Sequence, residues 1–391
     1  MASPDQRLAL PRLRRPSPLL ILGLGGLCAL GLLALAIIAL LSGPVPFAIG
    51  FVLAVVPIPV LIYAVLGLDR LEPEPSRRLV LAFVWGASVA VLLAGVINTL
   101  GLSVTTTMLG AREGKLVSAS IGAPIVEESL KAAVIVGFMR FGRQELDGPT
   151  DGVIYAVMVG LGFAMTENTM YYASAATHYG LTAVIGTFVL RGLVAPLSHP
   201  LFTSMTGMAL GWAALSPRKH VRVGLPVLGL LVAMTLHGLW NAAASASIVV
   251  LGVYYVVILL PILIGVVAVT FLDRHRMVRL IDRHLPRYAH TGLVSPADVA
   301  MLSRLSYRRR ARYWAKATGG RGAAEALRHY QLAATELALL EDRVDRGVAN
   351  QKAIPGRREA LLRVMAVARQ RFLGPTPGGY TEPPWTGRGL R

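Results

Sequence analysis

The sequence predicts an all-α polytopic membrane protein with about eight transmembrane helices. Of its 391 residues, 54% are hydrophobic and only 15% are charged. Mean hydropathy is +0.58, which excludes an ordinary soluble domain. Long apolar runs recur along the first two thirds of the chain, and each is long enough to cross a bilayer, which takes about 20 residues.

The elements follow in order. Arg7, Arg12, Arg14 and Arg15 form a basic arm, residues 1 to 17. It precedes LLILGLGGLCALGLLALAIIALL, a run too long for a signal-peptide core and without a small-x-small cleavage site, so it reads as a retained signal anchor over 18 to 42. Further spans are expected near 45 to 67, 79 to 103, 117 to 140, 151 to 174, 222 to 244 and 247 to 271. The run from Leu181 to Leu215 is longer than one span, but Arg191, Pro196 and Pro200 interrupt it. It is expected to be one crossing plus a shorter interfacial or re-entrant piece.

Charge sets the expected orientation. With the N-terminus inside, the inner loops carry Arg70, Arg77 and Arg78; Arg140 and Arg143; Arg218, Lys219 and Arg222; and Arg274, Arg276 and Arg279. The outer loops carry only Arg112 and Lys115. By the positive-inside rule both termini are expected in the cytoplasm, and the expected location is the plasma (inner) membrane.

Residues 272 to 391 turn arginine-rich, with GGRG, PGR and GPTPGGYTEPPW as punctuation. They are expected to form a cytoplasmic region in which AAEALRHYQLAATELALLEDRV supplies one or two amphipathic helices and the tail is disordered. The net charge of +18 implies attraction to anionic lipid. No nucleic-acid partner is expected, because no basic stretch comes with a nucleic-acid module. Cys28 is the single cysteine, which excludes an internal disulfide and a cysteine metal site.

Polar residues inside the spans carry the chemistry. Glu127, Glu128 and Lys131 sit in the fourth span, Glu167 and Asn168 in the fifth, His199 in the sixth, and His237 and Asn241 in the seventh. An ionisable side chain at mid-membrane costs at least about 2.5 kcal/mol by insertion scales. Glu127 and Lys131 share a helix face at i and i+4. Their pairing would leave Glu128 for another neighbour, although the opposite division also fits. Helical rise places Glu127, Glu128, Glu167 and His237 at compatible depths, so one pocket can collect them.

Two imidazoles and several carboxylates are the parts that activate water, by general-base catalysis or through a metal such as zinc held by His199, His237 and Glu128. Asn168 or Asn241 is a candidate donor to an oxyanion. Ser198, Thr203 and Thr206 can satisfy backbone groups freed by the prolines. Polar residues in spans also serve as interhelical glue, a bland role that suits Lys131, Asn168 and Asn241 singly better than it suits an adjacent pair of glutamates. A proton-coupled transporter and a scaffold that binds membrane peptides without turnover use the same residue types.

At these residues the chain resembles the PrsW family of bacterial intramembrane proteases, which is more distantly similar to the CAAX-processing and bacteriocin-immunity membrane proteases. The matching pieces are DRLEPEPSRR at 69 to 78, EESLK at 127 to 131, DGVIYAVMVGLGFAMTEN at 151 to 168, HPLFTSMTGMALG at 199 to 211 and HGLWN at 237 to 241. The resemblance implies an endopeptidase that cleaves a membrane-tethered substrate, such as an anti-sigma factor, near the outer half of the bilayer. It implies Glu127, Glu128 and His199 as the leading catalytic residues, with Glu167, His237 and Asn241 beside them. The basic C-terminal region lies outside it.

Overall fold

A computed structural model describes residues 18–68, 71, 73–142 and 146–373. The basic arm at 1 to 17, Arg143 and the Pro/Gly-rich tail lie outside the described residues. All regular elements among the described residues are helices: α1 Pro18–Ser42, α2 Pro44–Val55, α3 Ile58–Leu66, α4 Ser76–Trp85, α5 Val91–Leu109, α6 Ala111–Val117, α7 Ala123–Gly142, α8 Pro149–His178, α9 Leu181–Phe188, α10 Ser198–Ala214, α11 Lys219–Ala246, α12 Ile248–Tyr254, α13 Leu260–His284, α14 Pro296–Leu302, α15 Leu305–Asp345 and α16 Ile354–Phe372. Five-residue π turns join α4 to α5, α6 to α7 and α12 to α13, and a six-residue π turn follows α9.

The described residues fall into two compact units, one of residues 18–68, 74–142 and 146–271, the other containing 71, 73 and 272–373. Seven stretches among the described residues are long and apolar enough to cross a membrane; six lie within the first unit, and the seventh, Ile248–Thr291, begins there. The expected crossing at 117 to 140 is helical, as α6, its π turn and α7, but lies outside those seven. Glu127, Glu128, Lys131 and Arg140 dilute its apolarity.

The segment at 181 to 215 is a single broken helical run beside α8. Arg191 meets Glu167 and Asn168 of α8, while Gly160 packs on Pro200, Gly152 on Gly207 and Gly148 on Gly211. Position falls along α8 as it rises along this segment, so α9 and α10 together run antiparallel to α8, with a break at Ala195–Leu197. Pro196 lies in the break, and Pro200 sits in the first turn of α10, where a missing N–H costs nothing.

α8 is the axis of this unit. Its apolar window is 78% buried, against 11 to 33% for the other six. The α8–α10 crossing has no room for side chains: a Cβ at Gly152 would lie 1.9 Å from the Gly207 carbonyl oxygen, and one at Gly160 would lie 2.6 Å from Pro200 Cα. Small residues here let two backbones touch, the usual device for helix association in lipid. That contact sets His199 beside the α8 turn bearing Glu167.

The C-terminal unit is more helical than its composition implies. α14, α15 and α16 share a core that includes Leu327, Tyr330, Leu337, Met365 and Phe372. The GGRG stretch kinks α15 at Gly320, whose φ of 73° suits glycine alone, and Pro355 opens α16 instead of breaking it. Arg308 is buried, donating to the Leu302 and Leu71 carbonyls at 2.7 and 3.1 Å and to Thr335 Oγ1 at 2.5 Å.

Candidate active site

Four helices deliver the polar groups to one place. α7 brings Glu127, Glu128 and Lys131, α8 brings Glu167 and Asn168, α10 brings His199, and α11 brings His237 and Asn241. Glu127, Glu128, Lys131, His199 and His237 are all buried.

The two adjacent glutamates face different neighbours. Glu128 Oε1 accepts from Lys131 Nζ at 2.8 Å and from His237 Nδ1 at 3.0 Å, and its Oε2 accepts from Thr203 Oγ1 at 2.9 Å. Glu128 is thus fully paired and enclosed. Glu127 is held by Asn98 Nδ2 at 3.2 Å and Lys131 Nζ at 3.4 Å, and it lines a cavity of about 620 Å³. Lys131 bonds both carboxylates, and its closer tie to Glu128 reverses the division the i, i+4 spacing favoured.

Hydrogen bonding also orients the imidazoles. His237 donates through Nδ1 to Glu128, so its Nε2 lone pair points toward Glu127 Oε2, 3.8 Å away. His199 Nε2 lies 2.8 Å from Glu167 Oε2, a carboxylate that only accepts, which leaves the lone pair on Nδ1. Lys131 Nζ occupies that lone pair at 3.0 Å. The rings stand 5.0 Å apart and nearly perpendicular, with Phe202 stacked on His237 at 5.0 Å.

Glu167 is clamped from a second side by Arg191, which also donates through Nε to Asn168 Oδ1 at 2.6 Å and lies over the Tyr171 ring at 4.0 Å. Asn168 is therefore committed to Arg191. Asn241 lines the cavity and spends one N–H on the Ala119 carbonyl at 2.8 Å, leaving its second N–H for another acceptor.

Three contributors escaped the sequence reading. Arg191 appears there only as an interruption, although the cost of a cation in an apolar run is the argument that singled out the glutamates. Thr203 bonds a glutamate instead of the backbone freed by Pro200, whose carbonyl takes Ser204 Oγ at 2.6 Å. Asn98 is neutral, so its cost in an apolar run is smaller than that of a carboxylate, and no charged neighbour in the sequence draws attention to it.

One trio has the chemistry of a metal site. Glu127, His199 and His237 each offer a ligand atom within 4.8 Å of the other two. Two imidazoles and a carboxylate, with Glu128 orienting His237 from behind, fit a divalent transition metal. The carboxylate of this trio is Glu127 and not Glu128, which stands behind the imidazole.

Residues 74–266 match the PrsW family of intramembrane metalloproteases. The chain is 26% identical over 212 residues to Protease PrsW of Clostridioides difficile, covering 54% of this chain and 86% of that protein. It is 29% identical to the Protease PrsW of Geobacillus kaustophilus over 39% of this chain and 61% of that one. For the Bacillus subtilis Protease PrsW the identity is 29%, over 32% and 53% of the two chains. No solved structure matches the chain.

Proposed function

Because the chain belongs to the PrsW family of intramembrane proteases, we propose that it hydrolyses a peptide bond of a membrane-tethered protein, with Glu127 as the base that activates water. The observation that carries this reading is the division of labour between adjacent glutamates. Glu128 is saturated by Lys131, His237 and Thr203, whereas Glu127 opens on the cavity opposite the His237 lone pair.

In this reading a water lies between Glu127 Oε2 and His237 Nε2. Glu127 removes its proton as the oxygen attacks the scissile carbonyl, and later returns that proton to the leaving amine. The free N–H of Asn241 donates to the oxyanion. Lys131 offsets the negative charge of Glu127 and Glu128, and Arg191 with Glu167 fixes the His199 ring. A zinc ion held by Glu127, His199 and His237 would supply Lewis-acid activation of the same water.

An anti-sigma factor is the proposed substrate class, cut near the outer half of the bilayer. The inner membrane is the proposed location, with both termini cytoplasmic and the basic segments drawn to anionic lipid; the arginine and lysine bias of alternate loops supports it.

The test is cleavage of a single-span reporter by purified protein in detergent, with Glu127→Gln and a strong chelator in parallel arms. Loss of cleavage in the folded variant is expected. Full activity of Glu127→Gln would overturn the assignment, and pH-driven flux in liposomes without any cleavage product would replace it with transport.

A further inference from the structure

Lys131 Nζ makes three contacts with acceptors, matching the three N–H groups of an ammonium. They are Glu128 Oε1 at 2.8 Å, His199 Nδ1 at 3.0 Å and Glu127 Oε2 at 3.4 Å. The Phe163 ring lies against the same group, with Nζ 3.9 Å from its centroid. The group is fully buried. Two of these acceptors, Glu127 and His199, also belong to the trio that suits a divalent metal.

We propose that Lys131 is a resident cation that holds the site assembled and competes with a divalent metal for Glu127 and His199. This inference rests on the reading of Glu127, His199 and His237 as the metal-ligating set.

His199 explains why the two cations exclude each other. Its Nε2–H is committed to Glu167, and Arg191 fixes Glu167 in turn, so the ring has one lone pair to give, on Nδ1. While Lys131 donates to that nitrogen, no metal can take it. Glu128 offers the displaced ammonium a place to stay, because it already holds Nζ by the shortest of the three contacts.

Charge points the same way. Glu127, Glu128 and Glu167 against Lys131 and Arg191 give three negative and two positive charges, a net of −1. One cation near the paired glutamates keeps this buried cluster tolerable. The ammonium joins two glutamates and one histidine through a single cation. Lys131 is thus a positioning residue whose removal opens a ligand position.

Cobalt(II) reads this directly, since its d–d absorption reports bound ion and coordination number without any turnover. The full-length protein in detergent would be titrated with cobalt alone as wild type, Lys131→Met, Lys131→Gln, Lys131→Arg and His237→Ala, each checked for folding by thermal shift. Lys131→Gln is included because its amide still donates to Glu128 should Lys131→Met fail to fold.

The neutral variants are expected to bind cobalt at least about tenfold more tightly than wild type, a readily resolved change in Kd. Lys131→Arg, which keeps the charge, is expected to stay at the wild-type affinity, and His237→Ala to bind least. Equal affinity in wild type and the neutral variants, with binding lost in His237→Ala, would overturn the competition and leave the metal site standing. A gain in Lys131→Arg equal to that in Lys131→Met would assign the effect to loosened packing and overturn it as well. No cobalt bound by any folded protein would overturn both the competition and the metal reading.

Discussion

His199 Nε2 and Glu167 Oε2 lie 2.8 Å apart, joining the broken α9–α10 crossing to the central α8 at the centre of the polar cluster. The carboxylate fixes which ring nitrogen carries the proton, and Arg191 fixes the carboxylate. Partners of this kind set the tautomer and aim of a functional imidazole, and their loss typically costs 10- to 100-fold in activity or metal affinity.

Arg191→Gln and Glu167→Gln are accordingly expected to lower reporter cleavage by about 10- to 100-fold in kcat. KM should change little, since neither residue is assigned to substrate binding. Steady-state kinetics on the folded variants check this, and a rise in KM with unchanged kcat would contradict it.

The adjacent glutamates should separate by phenotype. Glu127→Gln is expected to remove turnover with little change in thermal stability. Glu128→Gln removes the carboxylate charge that pairs with Lys131 and replaces one of its two acceptor oxygens, each of which is in use, with a donor; breaking a buried pair costs about 3 to 5 kcal/mol. A melting point that falls in Glu128→Gln and holds in Glu127→Gln is the predicted pattern; identical melting behaviour would contradict the enclosed role of Glu128.

Bulk at the α8–α10 contact should be tolerated poorly. A Cβ at Gly207 would lie 2.1 Å from the Gly152 carbonyl oxygen. Gly207→Val and Gly152→Val are expected to destabilise by more than about 3 kcal/mol, beyond ordinary substitutions. Monodisperse yield after detergent extraction measures this, and wild-type yield would refute the close contact.

The C-terminal unit should respond to acid through Glu341. Burial pushes this carboxyl up, but hydrogen bonds from Arg358 at 2.7 and 3.0 Å and Tyr288 at 2.7 Å more than offset that, holding it below the ordinary carboxylate range. A depressed folded-state value adds stability above the unfolded value of about 4.3, and that stability is lost as pH falls through the folded one. Hydrogen exchange of the α15 and α16 peptides in the full-length protein should therefore accelerate below that range. Glu341→Gln should flatten the profile.

How much of this was legible from the residues follows physical cost. Apolar runs long enough to span a bilayer are obligatory, so the helices were readable. Buried carboxylates are expensive, so Glu127, Glu128 and Glu167 stood out, and depth along each helix brought them to one pocket with His237. The choice between Glu127 and Glu128 was not readable, because i, i+4 geometry alone favoured Lys131 with Glu127, whereas the lysine turns toward the i, i+3 glutamate. Asn98 and Thr203 sit at ordinary cost in ordinary positions, and only tertiary contact distinguishes them. In the C-terminal unit GGRG and PGR looked like linker, yet a glycine kink and a proline at a helix start are both compatible with packed helices.

The sheathing of α8 carries a consequence for how the molecule senses its surroundings. A helix with 78% of its apolar window buried scarcely meets acyl chains, and α10, which bears His199, is buried along most of its length, while the apolar windows of the other six crossings are only 11 to 33% buried. Stretching or thinning the bilayer tilts boundary helices first. Glu167 rides on the sheltered axis and His199 is latched to it, so their mutual geometry is insulated from membrane thickness. Reconstitution in lipids of graded chain length should therefore leave the chemical step of the reaction largely unaltered, even where it alters the entry of a tethered substrate past the outer helices.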